Sequence, residues 1–153
     1  MIRKQLVLPI ALAVFVAACQ PGQSDDPKSD IEHLNLPGIA ESGLPFSSAV
    51  RAGDTLYLSG VIGTIPGTLQ VPESIEEEAR LAMEQIKDAL ESFGSSLDRV
   101  VKCTVFMADE SHRDAFNRVY MSYFDKLPAR SGVTVKGLAL GAKAEVECIA
   151  LVN

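Results

Sequence analysis

Hydrophobic and polar residues are arranged along this 153-residue chain in a pattern that predicts six strands and two helices. The six β-rich runs, each bounded by turn residues, span 31–36, 46–51, 55–59, 98–107, 131–135 and 144–152. Ala52-Gly53-Asp54 lies between the second and third runs and predicts a hairpin. The segment 60–70 contains three glycines and a proline, so it is predicted to be a loop.

The first helix has clear start and stop signals. Ser74 is a good N-cap, and Glu77 three residues later completes a capping box. Apolar residues then recur at helical spacing until Gly94, the expected stop. The three acids 76–78 lie in the first turn and indicate a solvated helix start.

The second helix is shorter and completes the fold prediction. Ser111 is predicted to cap it, with Asp114 as its capping-box partner, and Pro128 prevents its continuation. The order β-β-β-α-β-α-β-β predicts an α+β fold of two layers, in which a six-stranded mixed sheet carries both helices on one face. The other face would be uncovered, and an uncovered apolar face predicts self-association.

The N-terminus has the pattern of an export signal. Residues 1–5 are basic, and 6–18 form an apolar run that ends in two alanines before Cys19. This resembles a bacterial lipobox, so 1–18 are predicted to be a lipoprotein signal peptide and Cys19 the lipidated residue. The alternatives are a plain signal peptide with a chance cysteine, or a misassigned start codon. Gln20 after the cysteine indicates the periplasmic face of the outer membrane.

Residues 19–30 are polar, contain two prolines and predict a flexible tether, so the folded domain is expected over 31–153. The whole chain has 14 basic and 20 acidic residues and a net charge of −6, which argues against nucleic-acid binding. No metal-binding motif is present. Cys103 and Cys148 both lie in apolar strand runs, and two buried thiols or one disulfide are both compatible with the sequence.

The C-terminal third of the chain has the most specific motif. Pro128-Ala-Arg-Ser131 is followed by Gly-Val-Thr-Val and then by Ala-Glu-Val-Glu-Cys-Ile-Ala over 144–150. Supporting segments are Tyr-Leu-Ser-Gly over 57–60, Gly-Ser-Ser-Leu-Asp over 94–98, Val-Lys-Cys-Thr-Val-Phe over 101–106 and Asn-Arg-Val-Tyr over 117–120. Together these segments resemble the RidA/YjgF family of imine deaminases over about 45–151.

The resemblance implies a chorismate-mutase-like fold, a homotrimer with ligand clefts between subunits, and hydrolysis of 2-imino or enamine acids to 2-keto acids and ammonia. By the same resemblance, Arg130 would bind the substrate carboxylate and Glu145 would orient or activate the attacking water. The other residues that match the family cleft are Phe46, Ser59, Asn117 and Gly132. A small 2-imino or 2-keto acid is the implied ligand, and no metal or organic cofactor is implied.

Three residues depart from the family pattern. Phe46 lacks the hydroxyl of the family's tyrosine, Val61 replaces a glutamine, and Gly132 replaces a cysteine. Each change makes the implied cleft less polar or roomier. An envelope lipoprotein that binds small carboxylates without catalysis is therefore the alternative function. An endoribonuclease, an older label of the family, is disfavoured by the acidic charge.

Overall fold

The structure is a computed structural model that describes residues 31–152. The predicted signal peptide, Cys19 and the tether lie outside the described residues. Seven strands form one sheet: β1 (Ile31–Leu34), β2 (Ala49–Ala52), β3 (Thr55–Leu58), β4 (Val61–Ile62), β5 (Val100–Met107), β6 (Ala129–Thr134) and β7 (Ala144–Leu151). The helices are α1 (Ile75–Ser92) and α2 (Arg113–Met121).

The sheet is mixed, as predicted. Its order is β1-β2-β3-β7-β5-β6, with β4 also paired to β7. Only β5 and β6 run parallel, and every other pair is antiparallel. The two-layer α+β fold is confirmed, but the prediction of a loop throughout 60–70 is wrong for two residues. Val61 and Ile62 form β4 because they pair with Val146 and Glu145 of β7, a long-range contact that the local glycines do not reveal.

Alternation along β7 separates the two faces of the sheet. Ala144, Val146, Cys148 and Ala150 are buried in the core with residues of both helices, whereas the intervening residues are only partly buried. The opposite face carries no helix among residues 31–152. Tyr57 is 47% exposed there, which leaves apolar surface open as expected.

Helix α1 begins as predicted at Ser74, whose Oγ accepts a hydrogen bond from Glu77 N at 3.1 Å. The reciprocal half of the capping box is missing, because the Glu77 carboxylate binds Arg80 instead. The expectation that all three first-turn acids are solvated is wrong for Glu78. This side chain is fully buried and accepts hydrogen bonds from Lys143 N at 2.7 Å and Ala144 N at 2.9 Å.

Helix α2 starts later than predicted. Asp109, not Ser111, caps this region, because Asp109 Oδ1 accepts a hydrogen bond from Ser111 N at 2.8 Å. A 3₁₀ turn over 110–112 then leads into the helix at Arg113. Neither helix of residues 31–152 combines the length and apolar character that crossing a bilayer requires.

The two strand cysteines form a disulfide. Cys103 of β5 and Cys148 of β7 are directly opposite in the antiparallel register, with their Cα atoms 4.1 Å apart. Both side chains lie on the helix-covered face and are 1% exposed. Of the two states that the sequence left open, the structure therefore contains the disulfide rather than two thiols.

Candidate active site

The residues that the resemblance singles out lie in two separate clusters. The Glu145 cluster comprises Phe46, Ser59, Glu145 and a residue that sequence reasoning did not single out, Gly60. The Arg130 cluster comprises Asn117, Arg130, Gly132 and a second added residue, Tyr120. Each cluster is described before their relative position.

Glu145 lies on β7, opposite Ile62 of β4, and its carboxylate packs against the backbone of Gly60. A Cβ atom at position 60 would lie only 1.8 Å from Glu145 Oε1, so any larger residue would displace the carboxylate from this position. Burial raises the pKa of the Glu145 carboxyl, and repulsion from Glu147 raises it further. A half-buried carboxyl with a raised pKa is suited to proton transfer near neutral pH.

Hydrogen bonds from Ser59 stabilise the loop that borders Glu145. Its hydroxyl donates a hydrogen bond to Ser47 O at 2.7 Å, and its backbone N–H donates one to Ser48 O at 3.0 Å. The hydroxyl proton is therefore already used, and Ser59 can offer a ligand only its lone pairs. This limits the hydrogen-bonding role that the resemblance implies for it.

A largely apolar cavity of about 270 Å³ adjoins this loop. Phe46 lies at its margin and is 52% exposed, without any hydroxyl to bind a ligand. The residues that line the cavity include Leu36, Phe46, Leu58, Ser59, Gly60 and Val61. Two of the three departures from the family pattern, Phe46 and Val61, thus contribute to its apolar character.

Arg130 lies on the edge strand β6 beside α2. Its Cζ atom is 4.9 Å from the ring centroid of Tyr120. The structure shows no hydrogen bond or ion pair between Arg130 and any other described residue. The exposed guanidinium thus keeps its N–H groups available for an anionic ligand, and a carboxylate can bind such a planar fork through two bonds.

Asn117 lies on α2, the helix that also carries Tyr120, and Gly132 lies on β6, two residues after Arg130. Asn117 Oδ1 is buried and has no hydrogen-bond partner among the described residues. A Cβ atom at position 132 would lie 3.3 Å from Arg113 Nη1, the end of a flexible side chain. Gly132 therefore leaves space beside Arg113, but an alanine could also be accommodated at this position.

Arg113 belongs to a polar network that sequence reasoning missed. It pairs with Glu110, and Glu110 Oε2 also accepts a hydrogen bond from Thr134 Oγ1 at 3.0 Å. The hydrogen bond from Arg113 holds the pKa of the Glu110 carboxyl below its usual range, with a further contribution from Thr134. Glu110 and Arg113 stand three residues apart at a helix start, a spacing at which opposite charges pair, so the sequence could have revealed this ion pair.

The strand register keeps Arg130 and Glu145 apart within one chain. Arg130 is aligned with Cys103 of β5, whereas Glu145 is aligned with Phe106 of the same strand. An offset of three residues places the two side chains on opposite faces of the sheet. Two strand spacings and three residues correspond to a Cα separation of about 14 Å. A single chain therefore does not assemble the site that the resemblance implies.

Within residues 31–152, no three His, Cys, Asp or Glu side chains are grouped closely enough to hold a metal ion. The two clusters offer a cation that can bind a carboxylate and a half-buried carboxyl that can transfer protons.

Comparisons with known proteins reveal one family. Residues 40–152 match the family described as Endoribonuclease L-PSP. The chain is 43% identical over 106 residues to "Protein HMF1" of Saccharomyces cerevisiae, which covers 69% of this chain and 82% of that protein. It is 38% identical over 109 residues to the 2-iminobutanoate/2-iminopropanoate deaminase of Mus musculus, which covers 70% and 81%. The crystal structure of E. coli TdcF with bound serine superposes with a TM-score of 0.69 at 32% identity, covering 72% and 90%.

Proposed function

We propose that this chain, which belongs to the Endoribonuclease L-PSP (RidA) family, hydrolyses 2-imino and enamine acids to 2-keto acids and ammonia. Relatives from mouse, goat and cattle at 38–39% identity are named 2-iminobutanoate/2-iminopropanoate deaminases. The observation that carries the proposal is the unpaired guanidinium of Arg130, because every substrate of this reaction has a carboxylate beside the reacting carbon. The acidic chain, at −6, does not favour the ribonuclease activity in the family description.

The proposed reaction adds water to the C2=N bond. Arg130 binds the carboxylate and so fixes C2, which contributes to catalysis by positioning an already electrophilic imine. Glu145 accepts a proton from water as its oxygen bonds to C2. The same proton is then delivered to nitrogen, which gives a neutral carbinolamine. Glu145 next transfers the hydroxyl proton to nitrogen, the C–N bond breaks, and ammonia leaves as the C2 carbonyl forms. The half-buried position of Glu145, with its raised pKa, supports both transfers.

The active unit in this proposal is a homotrimer with its sites between subunits. Two observations support it. Arg130 and Glu145 lie on opposite faces of one sheet, so a second copy must supply one of them. The sheet face without helices also exposes apolar side chains that a neighbouring copy would cover, among them Tyr57 at 47% and Val133 at 45% exposure.

The location proposed is the cell envelope, with a lipid on Cys19 holding the domain at the periplasmic face of the outer membrane. The Cys103–Cys148 disulfide supports export, since disulfides persist in oxidising compartments such as the periplasm. Replacing Cys19 by Ala provides the test. The wild-type chain should acquire labelled acyl groups and sediment with membranes, while equal labelling of both forms would refute the lipidation.

A deaminase assay tests the function itself. Imino acids generated in place by an amino-acid oxidase are supplied to the soluble domain from Ser24 onward, and release of the keto acid is followed. We expect hydrolysis well above the spontaneous rate. Binding of pyruvate through Arg130 without any hydrolysis would instead support the non-catalytic carboxylate-binding lipoprotein, for which the missing hydroxyl of Phe46 is the specific observation.

A further inference from the structure

The guanidinium of Arg130 rests on an aromatic platform. The ring of Tyr120 lies 4.9 Å below Arg130 Cζ and is itself 2% exposed. Phe116 stacks on this ring with centroids 5.9 Å apart, and Phe124 contacts it at a tilt with centroids 5.0 Å apart. The ring therefore has little freedom to move, and it presents a fixed face to an arginine on an edge strand.

The geometry suits carboxylate capture for an electrostatic reason. A guanidinium over an aromatic ring can stack through its own flat face, which leaves the N–H groups at its edges unused. A carboxylate binds at those edges through two parallel hydrogen bonds. The ring and the ligand thus contact different parts of the same group and do not compete.

We infer that Tyr120 is a positioning residue that orients Arg130 for the substrate carboxylate. This inference rests on the proposed function, which assigns the carboxylate to Arg130. The hydroxyl of Tyr120 is buried and has no hydrogen-bond partner among the described residues, so the role belongs to the ring face. A ring that merely filled the core would be replaceable by any apolar side chain of similar volume.

Calorimetric titration with pyruvate separates these roles. Tyr120→Phe keeps the ring and should bind pyruvate like the wild type. Tyr120→Leu removes the ring face and should weaken binding about 2- to 30-fold, the range of one cation–π contact. Leu56→Val is the control, because it disturbs the buried core on β3, three strands away from Arg130 on β6. Its pyruvate affinity should stay unchanged, as should the binding of the uncharged analogue pyruvamide by Tyr120→Leu.

A double-mutant cycle shows whether Tyr120 acts through Arg130. In an Arg130→Ala background, Tyr120→Leu should cause no further loss of pyruvate binding. If Tyr120→Leu does not fold, pentafluorophenylalanine at position 120 keeps the shape but reverses the ring quadrupole, and it should also weaken pyruvate binding.

Three results would overturn the inference. The first is wild-type affinity in Tyr120→Leu or in the fluorinated variant. The second is an equal loss in Leu56→Val, and the third is an undiminished loss in the Arg130→Ala background. If the wild type itself binds no pyruvate and hydrolyses no imine, the proposed function is wrong as well. If the wild type binds pyruvate through Arg130 and only the Tyr120 results fail, the proposed function stands without this residue.

Discussion

The Glu145 cluster and the Arg130 cluster differ in where the sheet places them. Glu145 sits on an interior strand, where its half-buried carboxylate packs against the backbone of Gly60. Arg130 sits on an edge strand, has no polar partner among the described residues, and rests only on a ring. The comparison indicates that the two clusters have different tasks in the proposed reaction. In the proposed reaction, the group that transfers protons lies on an interior strand, while the group that binds the carboxylate lies at an edge that another copy can approach.

The disulfide lies between these two regions and cross-links β5 to β7. Cys103 is aligned with Arg130, and Cys148 lies on the Glu145 strand. Replacing both cysteines by Ala should reduce the free energy of unfolding by about 4 kcal/mol, given that the loop spans 45 residues. Urea denaturation measures this change, and the reductant dithiothreitol should destabilise the wild type but not the double variant. Equal midpoints for both proteins would contradict a stabilising role.

Replacing Arg130 tests its proposed role in binding the substrate carboxylate. Arg130→Ala should lower kcat/KM by about 30- to 1000-fold, since a charge-assisted bidentate contact contributes on the order of 2–4 kcal/mol. Arg130→Lys keeps the positive charge but loses the planar guanidinium, so it should recover only part of the lost kcat/KM. Pyruvate affinities measured by calorimetry should rank the wild type, Arg130→Lys and Arg130→Ala in the same order as kcat/KM. Unchanged affinity in Arg130→Ala would remove this residue from the site.

Gly60 and Gly132 provide a matched pair of variants, one in each cluster. Gly60→Ala places a Cβ atom on the Glu145 carboxylate and should reduce kcat by about 100-fold, the lower range for losing a general base. Gly132→Ala meets only the movable end of Arg113 and should stay within about twofold of the wild type. Steady-state kinetics on both variants measure these kcat values. Similar kcat values for the two would show that Gly60 does not hold Glu145 in a productive position.

Mixed assemblies test whether the two clusters meet between subunits. Arg130→Ala and Glu145→Gln chains should each be nearly inactive alone. When they are unfolded together and refolded at equal amounts, about one quarter of the interfaces should pair an intact Arg130 with an intact Glu145, which restores activity to those sites. Sedimentation equilibrium should show a trimer in every case. Trimers without any regained activity would indicate that both residues of a site come from one chain.

The smallest expected effect concerns pH. Glu145 must be ionised to accept a proton, and its raised pKa places the acidic limb of the kcat/KM profile above 4.5, the ordinary value. Glu147→Gln removes the repulsion but not the burial, so the limb should move to lower pH without reaching 4.5. Glu91→Gln, which changes an exposed acid of α1, should leave the limb in place. An unmoved limb in Glu147→Gln would mean that another group controls it.

Family resemblance singled out Arg130 and Glu145, the two side chains on which the proposed reaction depends, but the supporting residues were harder to find. Tyr120 belongs to an apolar helical stripe, which indicates core packing and not a platform for an arginine. Gly60 stood in a segment predicted to be a loop. Their roles depend on which strands become neighbours, and short-range patterns carry little information about such pairings.

The sequence by itself determined the local features of this protein: the hairpin at Gly53, the start of α1 at Ser74, and the period of both helices. Each depends on residues a few positions apart, so local backbone chemistry is sufficient. Only the tertiary structure decided that Glu78 is buried, that Cys103 faces Cys148, and that Arg130 and Glu145 lie on opposite faces of the sheet. These outcomes depend on strand order and register, where a shift of one residue would exchange the two faces.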